Sequence, residues 1–196
     1  MERQTTKIRQ EQIKKAVLDI IFTDGLDQLS TRNLAKRVGI TEGAIFRHFK
    51  SKRDIMLGIM QDVKTGLIGE LRKITLDADG SEKRLSAFLC RHVKYLIENK
   101  GITILLFSEA AHMNDKELKG NLHEILSEQK SLISKIIRDG MTEGLWDKKL
   151  AVDDIATIYM GIPITLNIEL ILNEDRFDMH GFCKRMFFLM QRMMSK

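Results

Sequence analysis

The sequence predicts an all-α chain: a small N-terminal three-helix unit followed by a larger helical domain. Three observations carry that expectation. The 196 residues contain a single proline, Pro163. The β-branched and Gly/Asn-rich punctuation of hairpins is scarce. Apolar residues recur at helical spacing in one segment after another. Hydrophobic residues make up 43% and charged residues 30%, the balance of a folded chain able to bury a substantial core.

The elements follow in order. Between Thr6 and Thr23, residues Ile8, Ile13, Ala16, Val17, Ile20 and Ile21 repeat at helical spacing, and Gly25 ends the helix as a glycine just beyond a C-terminus does. Ser30 or Thr31 caps a short helix that runs through Val38 and stops at Gly39. Thr41 caps another short helix, with Glu42 in its first turn, reaching about Phe49. Ser51 caps a long fourth helix beginning at Lys52. After a loop from Thr75 to Lys83, Ser81 opens a helix to about Asn99, and a moderately apolar segment spans Thr103 to His112. A long amphipathic helix then carries Leu118, Leu122, Ile125, Leu126, Leu132, Ile133, Ile136 and Ile137 on one face and ends near Gly140 to Gly144. Asp153–Leu172 is almost apolar all round, so burial on most faces is expected, with a kink at Pro163. Arg176–Met194 is the last helix.

Positive charge is concentrated at one end. Residues 1–55 hold twelve Lys/Arg against seven Asp/Glu, while the remaining 141 residues carry 20 of each. The whole excess of +5 lies in the first quarter of the chain, as in a polyanion-binding module joined to a neutral one. No apolar run reaches the roughly 18 to 20 residues needed to span a bilayer, and the polar start MERQTTKIRQEQ lacks the apolar core of a secretory leader. A cytoplasmic protein without membrane contact is expected. Cys90 and Cys183 lie far apart and belong to no CxxC pair, which fits reduced thiols better than a disulfide framework.

The two short helices joined at VGIT read as a helix-turn-helix at about residues 30–49. Leu34, Ala35, Val38, Ile40 and Ile45 supply the close packing between them, and Gly39 permits the turn. The second helix would lie in a major groove with Thr41, Glu42, Gly43 and Ala44 aimed at base edges. Gly43 and Ala44 remove bulk there.

Thr31, Ala35, Gly39, Thr41, Gly43, Phe46, His48, Phe49 and Lys52 stand at the spacing Thr/Ser-x-x-x-Ala-x-x-x-Gly, then Ser/Thr-x-Gly-x-x-Tyr-x-His-Phe-x-x-Lys. In this the chain resembles the TetR family of transcriptional regulators over roughly residues 7–67. The resemblance implies a DNA-binding domain at 7–67 and a helical ligand-binding and dimerisation domain at 68–196. It implies phosphate contacts from Thr41, His48 and Lys52, a core role for Phe49, and base or flanking contacts from Glu42, Gly43, Ala44 and Arg47. Thr31 and Arg32 at the start of the second helix join the DNA-facing set, and Arg3, Lys7 and Arg9 could reach the backbone or a minor groove. Phe46 departs from the pattern: the family usually has Tyr there, whose hydroxyl reaches a phosphate. Phe keeps the packing and any thymine-methyl contact and loses that donor.

The neutral remainder is read through the same resemblance. Phe177, Phe182, Met186, Phe187, Met190 and Met194 form a stripe on the last helix, and with Asp153–Leu172 they fit either an intrachain core or a two-fold four-helix interface. The resemblance implies the second, a homodimer through the last two long helices. It further implies a repressor bound to double-stranded DNA at a palindromic operator and released by a small apolar or amphipathic ligand. Candidate pocket residues are Phe88, His92, Tyr95, Phe107, His112, Met113 and Trp146. An alternative is a DNA-binding adaptor or architectural protein with the same helix-turn-helix, controlled by a protein partner. The five histidines form no HExxH, Glu109 and His112 alone make only half a metal site, and neither a phosphate-cradling glycine loop nor a dinucleotide fingerprint is present. No metal, cofactor or enzymatic activity is expected.

Overall fold

The computed structural model describes residues 5–100, 102–103, 105–107, 114–172 and 178–195. Among these residues there are nine α-helices and no strand. They are α1 (Thr6–Thr23), α2 (Thr31–Val38), α3 (Glu42–His48), α4 (Lys52–Asp62), α5 (Gly69–Thr75), α6 (Ser81–Glu98), α7 (Lys116–Thr142), α8 (Val152–Leu172) and α9 (Met179–Met194). The chain divides into two compact units, Met1–Asp62 with Asn99–Leu122, and Val63–Glu98 with His123–Lys196.

The first unit is built by caps and a small core. Thr5, Ser30 and Thr41 each accept a hydrogen bond from the backbone N–H three residues on, which satisfies one otherwise orphaned donor per helix. Ser51 does the same for Asp54 at the start of α4. Gly39 ends α2 at φ +75°, a left-handed conformation that a side chain would strain. Ile13, Val17, Ile20, Leu34, Ala35, Ile45, Ile55 and Ile59 are buried, packing α1, α2, α3 and α4 around one centre. The fourth helix, expected to run on from Lys52 without interruption, is wound wider over Val63–Ile68, a π-helical stretch between α4 and α5. Val63, Leu67 and Ile68 are buried there.

In the second unit α6 packs against α5, α8 and α9. Phe88 and Tyr159 are fully buried and meet edge to face, ring centroids 5.5 Å apart. Arg84 is buried too, which is tolerable only because its guanidinium is heavily bonded. It donates to the Thr75 carbonyl at 2.8 Å, to Asp139 at 2.9 Å and to the Ser81 hydroxyl at 2.9 Å. Glu143 in turn accepts from the Ser81 hydroxyl and backbone N–H. Trp146 is buried against Gly140, where any Cβ would fall inside the indole ring.

The last helix is described from Met179, with Asp178 accepting from the Gly181 N–H as its cap, and Arg176 and Phe177 lie outside the described residues. Helix α8 includes Pro163 within its length, and where burial on most faces is expected it is covered on one side only. Ile155, Ala156, Tyr159, Leu166 and Leu170 are buried, whereas Ile158, Ile164, Ile168 and Leu172 are exposed. The segment Thr103–His112 falls largely outside the described residues.

The seat of Trp146 generates a test. Gly140→Ala should lower the unfolding free energy by about 1–3 kcal/mol, since the added methyl overpacks a fixed ring. Urea unfolding followed by tryptophan emission measures it, and an unchanged midpoint would contradict the packing described.

Candidate nucleic-acid interface

Helix α3 is held from one side and open on the other. Ile45 is 2% exposed beneath it and Phe49, its C-terminal cap, 9%. Gln10 of α1 donates to the His48 carbonyl at 3.0 Å, which satisfies an acceptor at the helix end. Glu42, Gly43, Phe46 and Arg47 remain exposed. Phe46 is 52% exposed, a large aromatic turned out of the core beside a guanidinium. Nothing stands within 4 Å of where a side chain on Gly43 would begin. Ala44 and Ile45 are the buried residues of α3.

The DNA-facing candidates on α2 and α4 meet α3 at one rim. Thr31, Phe46, Ser51 and Lys52 line a cleft of about 330 Å³ whose floor includes Leu34, Ile45 and Met56. Arg32 is exposed and stands 3.8 Å from Glu42, an ion pair loose enough to open at little cost. Thr41 uses an oxygen lone pair to accept from the Ala44 N–H, and its hydroxyl hydrogen can still be donated to a phosphate. His48 is only partly exposed, and its Nδ1 is buried without a hydrogen-bond partner. Lys7 is exposed and Arg9 half-buried, and Arg3 lies outside the described residues.

Not every cation of the basic quarter faces outward. Lys14 is buried, its ammonium 2.5 Å from Asp62 and 2.7 Å from Glu11. Burial opposes its charge, but the hydrogen bonds to Asp62 and Glu11 outweigh that and hold its pKa above the ordinary lysine value. Arg37 pairs with Asp24 at 2.5 Å. Arg53, next to Lys52, turns to Asp115 at 2.5 Å and to Glu117. The hydrogen bond from Arg53, then those from the N–H groups of Leu118 and Glu117, draw Asp115 down to about 2. Arg53 therefore ties α4 to the first turn of α7 inside the first unit.

Among the candidate ligand residues, Phe88 and His92 lie together on α6. His92 Nδ1 and the Tyr159 hydroxyl share a hydrogen bond of 3.2 Å beside Phe88. Tyr95 is buried elsewhere on α6, near Gly66 and under the Arg91 guanidinium. Trp146 is occupied by Gly140. Phe107 is 39% exposed rather than inside, and His112 and Met113 lie outside the described residues. Tyr159 was not legible as a site residue, although a tyrosine in an apolar helix must find its hydroxyl a partner. Among the described residues no group of three or more His, Cys, Asp or Glu could hold a metal ion, and no helix is long and apolar enough to cross a membrane.

Two family models account for nearly the whole chain. "Bacterial regulatory proteins, tetR family" matches residues 15–59, and "YsiA-like protein, C-terminal region" matches residues 60–192. The chain belongs to the TetR family. Its helix-turn-helix lies within the first of these matches. The chain is 26% identical over 123 residues to the nucleoid occlusion factor SlmA of Actinobacillus pleuropneumoniae, a match covering 62% of this chain and 61% of that relative. Its fold is similar to the ketosteroid transcriptional regulator KstR2 of Mycobacterium tuberculosis, with TM-score 0.81 at 16% identity, covering 98% and 97% of the two chains. It is also similar to the regulator FadR of Bacillus subtilis in complex with stearoyl-CoA, with TM-score 0.71 at 19% identity, covering 92% and 96%.

His92 gives this TetR-family regulator a pH-dependent core. Burial lowers its pKa to about 4, so the fold holds the ring neutral while the unfolded chain protonates it near pH 6.5. Stability should be full above about pH 6.5, fall by about 3 kcal/mol as pH drops toward 4 and then change no further from this group. Urea unfolding of wild type and His92→Gln across that range checks it. A wild-type difference that does not vary with pH would contradict a neutral His92.

Proposed function

We propose that the chain acts as a homodimer that sets α3 of each copy into successive major grooves of a palindromic operator. We further propose that a small apolar or amphipathic ligand held by the second unit releases it. The observation that carries this reading is the selective exposure on α3. Glu42, Gly43, Phe46 and Arg47 are open and share a face with the Thr31–Lys52 rim, while Lys14, Arg37 and Arg53 are engaged by carboxylates. Lys52 stands at the start of α4, where the helix dipole adds to its attraction for a phosphate. Arg47 and Phe46 are then the groups that reach base edges and thymine methyls.

The bare stripes of α8 and α9 support the dimer. Ile158, Ile164, Ile168 and Leu172 recur along one side of α8, and Phe188 and Leu189 are exposed on α9. Gly161 lies in the same α8 stripe with open space before it, so a second backbone can come close. Pairing these faces across a two-fold axis removes six exposed apolar side chains from water, and an operator read in successive major grooves asks for two reading helices about 34–36 Å apart. Ligand control is supported by the similarity to FadR, which was solved with stearoyl-CoA. A second reading is a DNA-binding adaptor or architectural protein controlled by a protein partner, and the similarity to a nucleoid occlusion factor is compatible with it.

Salt titration of operator binding by variants tests the DNA-facing part. Lys52→Ala should weaken binding to all duplexes alike and reduce the slope of log affinity against log salt by about one. Phe46→Tyr should tighten binding by about three- to tenfold, because the new hydroxyl donates to a phosphate. Arg53→Ala should leave the slope unchanged. A slope unaffected by Lys52→Ala and lowered by Arg53→Ala would overturn the assignment. Release of operator by acyl thioesters, aromatics or cationic amphiphiles supports ligand control, and intact binding with no release by any of them favours the partner-controlled adaptor.

A further inference from the structure

Helix α3 carries one carboxylate, Glu42, and it is the first residue of the helix. Glu42 is exposed along with Gly43, Phe46 and Arg47, while Ala44 and Ile45 are buried. On the other side of the Gly39 turn, Arg32 is the second residue of α2, and Leu34 and Ala35 behind it are buried. The Arg32 side chain is 86% exposed and that of Glu42 53%, and Arg32 Nε stands 3.8 Å from Glu42 Oε1. At that separation the two charges attract each other without forming a hydrogen bond, so neither group uses up its donors or acceptors on the other. The contact is made through Nε, which leaves the fork of terminal nitrogens to take a second partner.

We propose that Glu42 and Arg32 together read a single C·G base pair, Glu42 accepting from cytosine N4 and Arg32 forking onto guanine O6 and N7. The inference rests on the reading of α3 as the helix that enters the major groove, and it names the base pair that this end of the helix selects. A carboxylate carried toward a polyanion is repelled unless it meets a donor. The base-edge donors of the major groove are cytosine N4 and adenine N6. Guanine and thymine present no donor there, so Glu42 rejects both at the position it reaches. Arg32 decides between the remaining two. The partner of cytosine is guanine, whose O6 and N7 accept both prongs of a guanidinium, whereas thymine, the partner of adenine, offers one acceptor beside a methyl group. Within a C·G pair N4 and O6 are hydrogen-bonded to each other, about 3 Å apart, a spacing close to that of the two side-chain charges. The ion pair thus mirrors the donor and acceptor edge of one base pair. An exposed pair of this kind opens at little cost, so each group is able to turn onto its base.

Selection of bound duplexes from a random pool, run in parallel on the full wild-type chain, Glu42→Gln and Arg32→Ala, tests this. Affinities are then measured on duplexes altered at one pair. The wild-type chain should require C·G at one pair of each half-site and bind about tenfold or more weakly when that pair is replaced. Glu42→Gln should change the preference at that same pair to A·T, since an amide bonds adenine N6 and N7, and leave the rest of the half-site as it was. Arg32→Ala should relax the same pair, so that cytosine and adenine are accepted about equally. Both side chains are exposed, and neither substitution touches the core. Stronger binding of Glu42→Gln to every duplex alike would mean that Glu42 acts through its charge alone, and the proposal would be wrong. It would also be wrong if the two variants altered different pairs, or if both kept the wild-type half-site. A wild-type selection that enriches no sequence would overturn the DNA-reading conclusion itself, an outcome distinct from an enriched half-site indifferent to both variants.

Discussion

A helix of seven residues makes about two turns and has no stability of its own in water, so α3 exists because of what lies beneath it. That support is the burial of Ile45 against α1 and α2, closed at one end by the Thr41 cap and at the other by Phe49 and the Gln10 bond to the His48 carbonyl. Every property proposed for the DNA face depends on this anchorage. With the inner edge fixed, Phe46 and Arg47 have no covered position to retreat to, and they project beside Lys52. The left-handed turn at Gly39 sets the angle at which α3 leaves α2.

Local physics was readable in the sequence where it acts over three or four residues. The caps at Ser30, Thr41 and Ser51 and the stop at Gly39 involve nearest neighbours along the chain, and residue type announces them, with only the choice between Ser30 and Thr31 left to the structure. The tie from Arg53 to Asp115 and Glu117 closes over 62 and 64 positions, and no spacing rule connects them. Ala44 was ambiguous for a different reason: a small residue in a base-reading turn serves equally well to make room for DNA or to be covered by its own chain, and it is buried here. Trp146 and Phe107 carry the same apolar character in the sequence, and only the structure tells a ring seated against Gly140 from one left exposed.

Burial itself is ambiguous in a sequence. The near-continuous apolar character of α8 records that all its faces leave water, without recording whether the cover comes from the same chain or from another. In the structure one face is covered from within and the other is bare, which is why a helix expected to be mostly buried shows a stripe of exposed isoleucines. The charge of the first quarter needs a similar correction. Twelve cations stand there, but Lys14, Arg37 and Arg53 are compensated by carboxylates. The field left to act on a polyanion is smaller than the formal count suggests.

The central claim is that two α3 helices, held rigidly on two copies of the chain, read one piece of duplex. Selection of bound duplexes from a random DNA pool tests it most directly. The expected result is an inverted repeat whose half-sites are centred about one helical turn, or a multiple of it, apart. Enrichment of a single unrepeated half-site, or no enriched sequence at all, would contradict it.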